Sequence, residues 1–332
     1  MRGASRGYRR SPEQDAAWRR AVEEARQRHN ITDVVARSRK VIRAGRERKA
    51  LCAFHDERSP SMQLNDAKGT FHCFGCGAGG DIIAYVMHEQ GVGFIDALRW
   101  LGQADLPLVD PAHRARAAAE DAAERASAIA DARELWAEGV SIEGTPGETY
   151  LRQARGIAMP LPASLRFGLV PTSRDDAGHW KRPYPAVLCA CTGGPDGDLL
   201  GLQRIFIRDD GRDKRWGKRS KLSIGRPKAA AFKLAPAAHE VVICEGPEDG
   251  LSLAQELPDR AVWVALGTAM MPEVTFPPAV RRVCIAGQND NAGRAAVDAA
   301  AAALGSRGLD VRTMFPDPAF KDWNDQLRGV RA

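Results

Sequence analysis

Cys52-x-x-His55 and Cys73-x-x-Cys76 place three thiols and an imidazole in two closely spaced pairs, with seventeen residues between the pairs. A two-residue spacer lets both members of a pair bend around one ion, and four such ligands describe a tetrahedral zinc site. Four protein ligands leave no open position for substrate, so the zinc expected on Cys52, His55, Cys73 and Cys76 is structural. His72 is the competing imidazole, but it adjoins Cys73 and would point away from it in an extended segment. Gly75, Gly77, Gly79 and Gly80 allow the second knuckle to turn tightly. A reduced-cysteine cluster without metal is the alternative.

A second group of chemically capable residues lies about two hundred residues downstream. The run VVICEGPEDG leads an apolar segment directly into Glu245. VCIAGQNDNAG brings Asp290 four residues after the end of an apolar run, and PAFKDWNDQL carries Asp322 and Asp325. Ligands meet an open α/β sheet at its strand ends. Carboxylate oxygens there suit hard divalent cations, Mg²⁺ or Mn²⁺, whose chemistry is phosphoryl transfer. The plainer alternative for any one of these acids is an exposed loop or helix-cap residue. Glu248 and Asp249 fall in a first helical turn, where acids stabilise the helix start. Contact between Asp249 and a metal through water is the second reading of that residue.

The elements that must present these groups follow from periodicity. Strands are expected at 241–244, 261–266, 281–286 and 309–314, with helices at 248–257 and 292–304, a compact α/β unit with a mostly parallel sheet. Upstream, residues 150–232 hold short apolar runs such as 186–191 and 199–207, broken by Gly, Pro and Asp, as in antiparallel hairpins. Residues 112–138 are Ala-rich without Pro or Gly and read as a long helix or helical linker. A charged helix is expected at 13–28, a capped short helix from Asn30 or Thr32, and helices after Gly80 and at Phe94–Leu101. Residues 1–12 read as disordered. The fold class is therefore a multidomain chain, α+β and α/β. Its metal module, near 48–80, is too small to rest on a core of its own.

The 332 residues are enough for two or three domains, and the net charge of +6 is unevenly spread. Residues 1–50 carry 15 Lys/Arg against 6 Asp/Glu, and residues 204–228 carry 10 against 3. Two basic patches fit a polyanion's backbone better than a diffuse bias does. Candidates are Arg204, Arg208, Lys214, Arg215, Lys218, Arg219 and Lys221 in one hairpin-like segment, with Arg152 and Arg155 upstream. A solvated basic face is the plainer reading of such a run. Trp216, within it, either stacks on a base or packs under the hairpin. The four cysteines outside the quartet lie in or beside apolar runs. There is no secretory leader and no apolar run long enough to span a bilayer, so no membrane association and a reducing cytoplasm are expected.

The stretch CAFHDERSPSM through FHCFGCGAGGDIIAYVM, followed by GFIDALRWLG, resembles the zinc-binding domain of bacterial and phage DNA primases of the DnaG type. Pro60, Ser61, Phe71, the HCFGCG run, Gly80, Asp81 and Phe94 fall at that family's recurring positions, while Ala53 stands where the family has Pro. The downstream half resembles the Toprim fold of primases, topoisomerases and some nucleases. GTPGETYLRQARGI and the basic hairpin resemble phage- and plasmid-type primases, and the likeness spans roughly 30–330.

The resemblance implies a zinc-ribbon-like module that contacts single-stranded template, a helical linker, an α+β subdomain and a Toprim α/β domain. The expected divisions are a basic arm or helix at 1–29, the zinc domain at 30–103, the linker at 104–138, the subdomain at 139–235 and Toprim at 236–332. It implies Glu245 beside the reacting oxygen, with Asp290, Asp322 and Asp325 holding Mg²⁺ or Mn²⁺. A primer 3′-hydroxyl would attack the α-phosphate of a nucleoside triphosphate on a single-stranded DNA template. Phe54, Phe71 and Phe74 could stack on bases, or form the module's core. The family's Asp-x-Asp is Gln288-Asn289-Asp290 here, a loss of one negative charge. That departure supports a second reading, an impaired or inactive primase-like protein that binds single strands and recruits others. A Toprim nuclease is the third, and the zinc module argues against it. GxxxxGK[ST] is absent from the sequence, so a separate replicative helicase is the expected partner.

Overall fold

The computed structural model describes residues 12–44, 47–103, 111–194 and 197–331. Of the disorder expected at residues 1–12, residues 1–11 lie outside them, and Pro12 opens a helix. The chain forms two compact units, 1–123 and 124–332.

The first unit opens with α1 (Pro12–Arg28) and α2 (Ile31–Ala36). A five-stranded antiparallel sheet follows in sequence order: β1 (Ile42–Ala44), β2 (Glu47–Ala50), β3 (Met62–Asn65), β4 (Thr70–Cys73) and β5 (Gly79–Asp81). Next come α3 (Ile82–Gln90), α4 (Phe94–Gln103) and the start of α5 (Pro111–Glu138). Asp81 caps α3 by accepting from the Ala84 N–H at 2.9 Å, and Gly91 ends it in the left-handed conformation at φ 63°. Buried Ile31, Val35, Met62, Phe71, Ile82, Tyr85 and Leu101 make one core, with Cys52 and Cys73 in it. The module thus has more apolar support than residues 48–80 alone supply, because α2, α3 and α4 close over the sheet.

In the second unit, β6 (Val140–Ser141), α6 (Pro146–Thr149) and a π turn at Tyr150–Ala154 precede β7 (Leu165–Pro171), β8 (Pro183–Gly193), β9 (Asp198–Phe206), β10 (Lys221–Gly225) and β11 (Ala231–Lys233). Then follow β12 (Glu240–Cys244), α7 (Pro247–Glu256), β13 (Ala261–Val264), β14 (Arg282–Ala286), α8 (Asn291–Ser306), β15 (Asp310–Met314) and α9 (Trp323–Arg328). All ten strands share one sheet, ordered β10-β9-β8-β11-β13-β12-β14-β15, with β7 on β8 and β6 on β7.

The sheet changes character at β11. Phe232 pairs antiparallel with Cys191 on one side and Val264 on the other, joining the antiparallel half to the parallel half. The sheet is therefore continuous across the expected division at 235/236. Hydrogen bonding runs straight through it. In the parallel half α7 and α9 cover one face and α8 the other. Burial on both faces explains why β12 and β13 read as unbroken apolar runs rather than alternating ones. The last turns of α5, through Ala132 and Leu135, cover the outer face of β8 and β9.

Candidate functional site

In the zinc module, Cys52, His55, Cys73 and Cys76 bring one ligand atom each within 4.8 Å of all the others. Cys52 Sγ lies 3.8 Å from Cys76 Sγ, and Cys73 Sγ lies 3.8 Å from His55 Nδ1. The Phe54 N–H points at Cys52 Sγ at 3.3 Å, and the Gly75 N–H at Cys73 Sγ at 3.3 Å. Amides aimed at sulfur favour thiolates. Burial first, then the neighbouring thiols, pushes the Cys52 thiol up to about 12, although the Phe54 amide opposes them. Burial also raises Cys73, but Ser61 and the Cys76 and Gly75 amides outweigh it and bring that thiol to about 7. Crowded thiols opposed by burial, with amides already aimed at their charged form, fit a cation that takes up two or more thiolates. Zinc is that cation's best match, through three sulfurs and one imidazole nitrogen.

His55 turns Nδ1 toward the thiols and Nε2 toward Glu57 Oε2 at 3.3 Å. The other Glu57 oxygen accepts from the Cys52 N–H at 2.7 Å and the Ser61 N–H at 3.1 Å. One carboxylate therefore fixes the imidazole tautomer and both flanks of the first knuckle. Glu57→Gln is expected to weaken zinc binding by about 10- to 100-fold; competition with a chromogenic chelator measures this. Gly75 is required where it stands, since a Cβ there would lie 2.6 Å from His55 Nε2. His72 faces out on β4 against Phe74, with ring centroids 4.7 Å apart, and is not in the quartet. Of the three phenylalanines, Phe71 is buried, and Phe54 packs on Phe71 and Tyr85. Only Phe74, 70% exposed, is presented to solvent.

In the second unit, parallel register sets Cys244 beside Ala286 and Ala286 beside Met314. The chain therefore leaves β12, β14 and β15 along one sheet edge, delivering Glu245, then Gln288 and Asp290, then Asp322 and Asp325. Asp290 caps α8, accepting from the Gly293 N–H at 2.7 Å, and Asp322 caps α9, accepting from the Asp325 N–H at 2.8 Å. The acids sense one another. Burial raises Glu245, with Lys221 opposing and Asp290 reinforcing the rise. Burial and then Asp322 raise Asp325.

Asp249 stands in the first turn of α7 as expected, but its carboxylate is turned away from the helix start. It is 5% exposed, and neither oxygen caps α7. Oδ2 accepts from Gln288 Nε2 at 2.8 Å, and Oδ1 accepts from the Asn324 N–H at 3.2 Å. Burial and then Asp322 push its carboxyl up to about 7. The available signal was positional: a helix that begins directly after a strand end carries its first turn across that same edge. Gly250 permits the close approach, because a Cβ there would lie 2.3 Å from Val264 Cγ2.

Hard oxygen donors held against their own repulsion fit Mg²⁺ or Mn²⁺, which take one or two carboxylates plus substrate phosphates. The acids are spread more widely than the thiol quartet. Among the described residues only the quartet gathers three or more such ligand atoms within 4.8 Å. Lys321 Nζ, 3.6 Å from Asp290 Oδ2, partly offsets the negative charge.

A carboxyl raised by folding holds protons that the unfolded chain has shed. Its contribution to stability is present below the ordinary carboxylate range and is lost as pH rises through about 7. Asp249→Asn is accordingly expected to be more stable than the native chain at pH 8, by about 1–3 kcal/mol, with the difference vanishing at pH 4. Urea denaturation at both pH values checks the sign.

The basic residues divide sharply. Arg204 is a correction: it is 2% exposed, donates to the Pro171 and Ser223 carbonyls, and burial lowers it to about 10. It sits on β9 facing the layer closed by α5, so alternation along the strand took it out of solvent. Lys214 and Lys221 reach inward to buried Glu248, at 2.8 and 2.5 Å, and the Tyr150 hydroxyl donates to the same carboxylate at 3.0 Å. Burial would raise Glu248, but the two lysines hold it well below the ordinary carboxylate range. Arg152 ties the Ile157 and Met159 carbonyls at 2.8 and 2.6 Å, and Arg155 donates to the Tyr150 hydroxyl at 2.8 Å. Arg215 donates to the Ile207 carbonyl at 3.0 Å and pairs with Asp209. Arg208, Lys218 and Arg219 are exposed and, among the described residues, make no ion pair. Trp216 packs on Tyr184 and Phe206, with centroids 5.1 and 5.2 Å away, and is 39% exposed.

Three family models match the chain: a CHC2 zinc finger at residues 17–109, a domain of unknown function at 126–234, and a Toprim domain at 240–331. The DNA primase of Listeria monocytogenes is 23% identical over 351 residues, covering 92% of this chain and 55% of that protein. That of Geobacillus stearothermophilus is 27% identical over 332 residues, covering 88% and 55%. That of Mycolicibacterium smegmatis is 33% identical over 164 residues, covering 47% and 25%. The chain spans about half the length of the first two. Among solved structures, the zinc-binding and RNA polymerase domains of Aquifex aeolicus primase superpose with a TM-score of 0.41 at 20% identity, covering 93% of this chain and 82% of that one. The primase fragment of the bacteriophage T7 primase-helicase gives 0.37 at 14% identity, covering 83% and 93%. No described helix is long and apolar enough to cross a membrane. The chain thus carries a CHC2 zinc finger ahead of a Toprim domain, and it is similar to bacterial DNA primases over about nine tenths of its length.

Proposed function

We propose that this chain synthesises short RNA primers on single-stranded DNA by nucleotidyl transfer from nucleoside triphosphates. The observation that carries the reading is the delivery of Glu245, Asp290, Asp322 and Asp325 to one edge of a parallel sheet, with Asp249 buried beside them. Asp290, Asp322 and Asp325 would hold Mg²⁺ or Mn²⁺, which when bound neutralises phosphate oxygens and favours attack by a primer 3′-hydroxyl at the α-phosphate. Glu245, its proton affinity raised by burial, is suited to take the proton of that hydroxyl. The bond formed joins the 3′-oxygen to the α-phosphorus, and pyrophosphate leaves.

Arg208, Lys218 and Arg219 are the exposed cations suited to template or triphosphate. Lys214 and Lys221 act on the basic hairpin indirectly, by anchoring it to Glu248. Cys52, His55, Cys73 and Cys76 would hold the structural zinc of a module that contacts template, with Phe74 the exposed ring available to a base. The working divisions are 1–29, 30–103, 104–138, 139–235 and 236–332. The setting is the cytoplasm, with a separate replicative helicase as partner.

Gln288 favours one further reading, an impaired primase-like protein that binds single strands and recruits others. Incubation with single-stranded DNA, four ribonucleoside triphosphates and Mn²⁺ separates the two. Short RNA made by the native chain supports the enzyme. DNA binding without product, in both the native chain and Gln288→Asp, supports the recruiter.

A further inference from the structure

Gln288 stands as a neutral amide among the acids of the cleft, and its side chain is engaged rather than idle. Its Nε2 donates to Asp249 Oδ2 at 2.8 Å, while the Asn324 N–H donates to Oδ1 at 3.2 Å. Among the described residues Asp249 is thus the one acid of the cleft with a hydrogen-bonding N–H on each oxygen. Asp290 and Asp322 each give one oxygen to a helix N-terminus, at 2.7 and 2.8 Å; Lys321 Nζ lies 3.6 Å from the other Asp290 oxygen, and among the described residues Asp325 pairs only with Arg328, at 3.9 Å. Glu245 accepts no hydrogen bond among the described residues.

An amide hydrogen on a carboxylate oxygen stands where a cation would otherwise stand. A carboxylate at 288 would reverse that contact, turning a donor into a second acceptor beside Asp249. Both arrangements satisfy Asp249: a neutral amide does so from within the chain, whereas two adjacent carboxylates repel until a proton or, above about pH 7, a cation stands between them.

We propose that Gln288 withholds one divalent cation from the cleft, its amide closing the Asp249 position that a carboxylate at 288 would open to metal. The inference rests on the reading of this edge as a cation site, and names how this chain tunes it. The remaining acids, Glu245, Asp290, Asp322 and Asp325, keep their cation affinity, so Gln288 lowers the number of ions held without abolishing binding. Gln288 does this as a positioning residue that acts on Asp249.

The test is Mn²⁺ binding to the zinc-loaded full chain, read by electron paramagnetic resonance of free Mn²⁺, with no nucleotide and no turnover. Gln288→Asp is expected to bind one more Mn²⁺ per chain than the native protein, and the double variant Gln288→Asp/Asp249→Asn to lose that gain. Gln288→Glu, of the same length as Gln, serves equally should Gln288→Asp not fold. Equal stoichiometry in native and acidic variants overturns the proposal while leaving the cation site standing. So does a gain that survives Asp249→Asn. No Mn²⁺ bound to any form would overturn the proposal and the cation-site reading together.

Discussion

Cys73→Ala is expected to unfold the zinc module and leave residues 124–332 folded. Cys73 is fully buried and serves two structures at once, as a metal ligand and as a member of the core beside Met62 and Phe71. Structural zinc in modules of this size contributes on the order of 10–16 kcal/mol of apparent binding free energy, and most of it is folding free energy. Three remaining ligands retain little of this, and the apolar core of α2 to α4 does not replace it. Because thiolates are the ligands, metal uptake releases protons, and the module should also fail progressively as pH falls. Hydrogen exchange with zinc quantification reads both effects. Zinc content near zero, with protection lost in 30–103 and kept in β12, β13 and β14, is the expected result. A zinc-free module with native protection would show that the core alone holds it.

Glu245→Gln is expected to lower nucleotide incorporation by roughly 10²- to 10⁴-fold, the scale of a lost general base. The fold should survive intact. The native carboxylate is half-buried, is raised by burial, and accepts no hydrogen bond among the described residues, so an isosteric amide removes no hydrogen bond and trades attraction to Lys221 and Lys321 against relief of repulsion from Asp290. Template affinity should stay near native, which separates chemistry from binding. Rates against pH add a signature that a structural role would not give: the native rate rises with pH as Glu245 ionises, above the ordinary carboxylate range. The residual rate of Glu245→Gln should lack that rise. Steady-state incorporation from pH 5 to pH 8 measures both.

Most of the fold was legible because its signals were local. Two x-x-spaced ligand pairs, an unbroken apolar run in β12, and helix caps at Asp290 and Asp322 each declare themselves within a few residues. The acids at the strand ends were legible for the same reason, since parallel strands must release their chains along one edge. What escaped was decided by partners far away in sequence. Asp249 looked like a helix-start acid until Asn324 and Gln288 closed on it from 75 and 39 residues away. Arg204 sat in a basic run, and a solvated reading was natural there. Strand alternation in β9 turns it under α5, and a charge count carries no record of which face a residue takes. Lys214 and Lys221 were counted as free cations for want of a visible counter-ion. Glu248, which neutralises both, lies on another element altogether. The run of β11 between two half-sheets was hidden too, because a three-residue strand has almost no periodicity to read.

The account's central claim is that the strand-end acids direct attack on an α-phosphate. Its most direct measurement follows label from α-³²P- and γ-³²P-labelled nucleoside triphosphates on single-stranded DNA, with the native chain and Glu245→Gln in parallel. The expected result is α-label entering short RNA, γ-label leaving as pyrophosphate once for each phosphodiester bond formed, and both signals falling together in Glu245→Gln. Release of γ-label as free phosphate without α-label in RNA, or incorporation undiminished in Glu245→Gln, would contradict it.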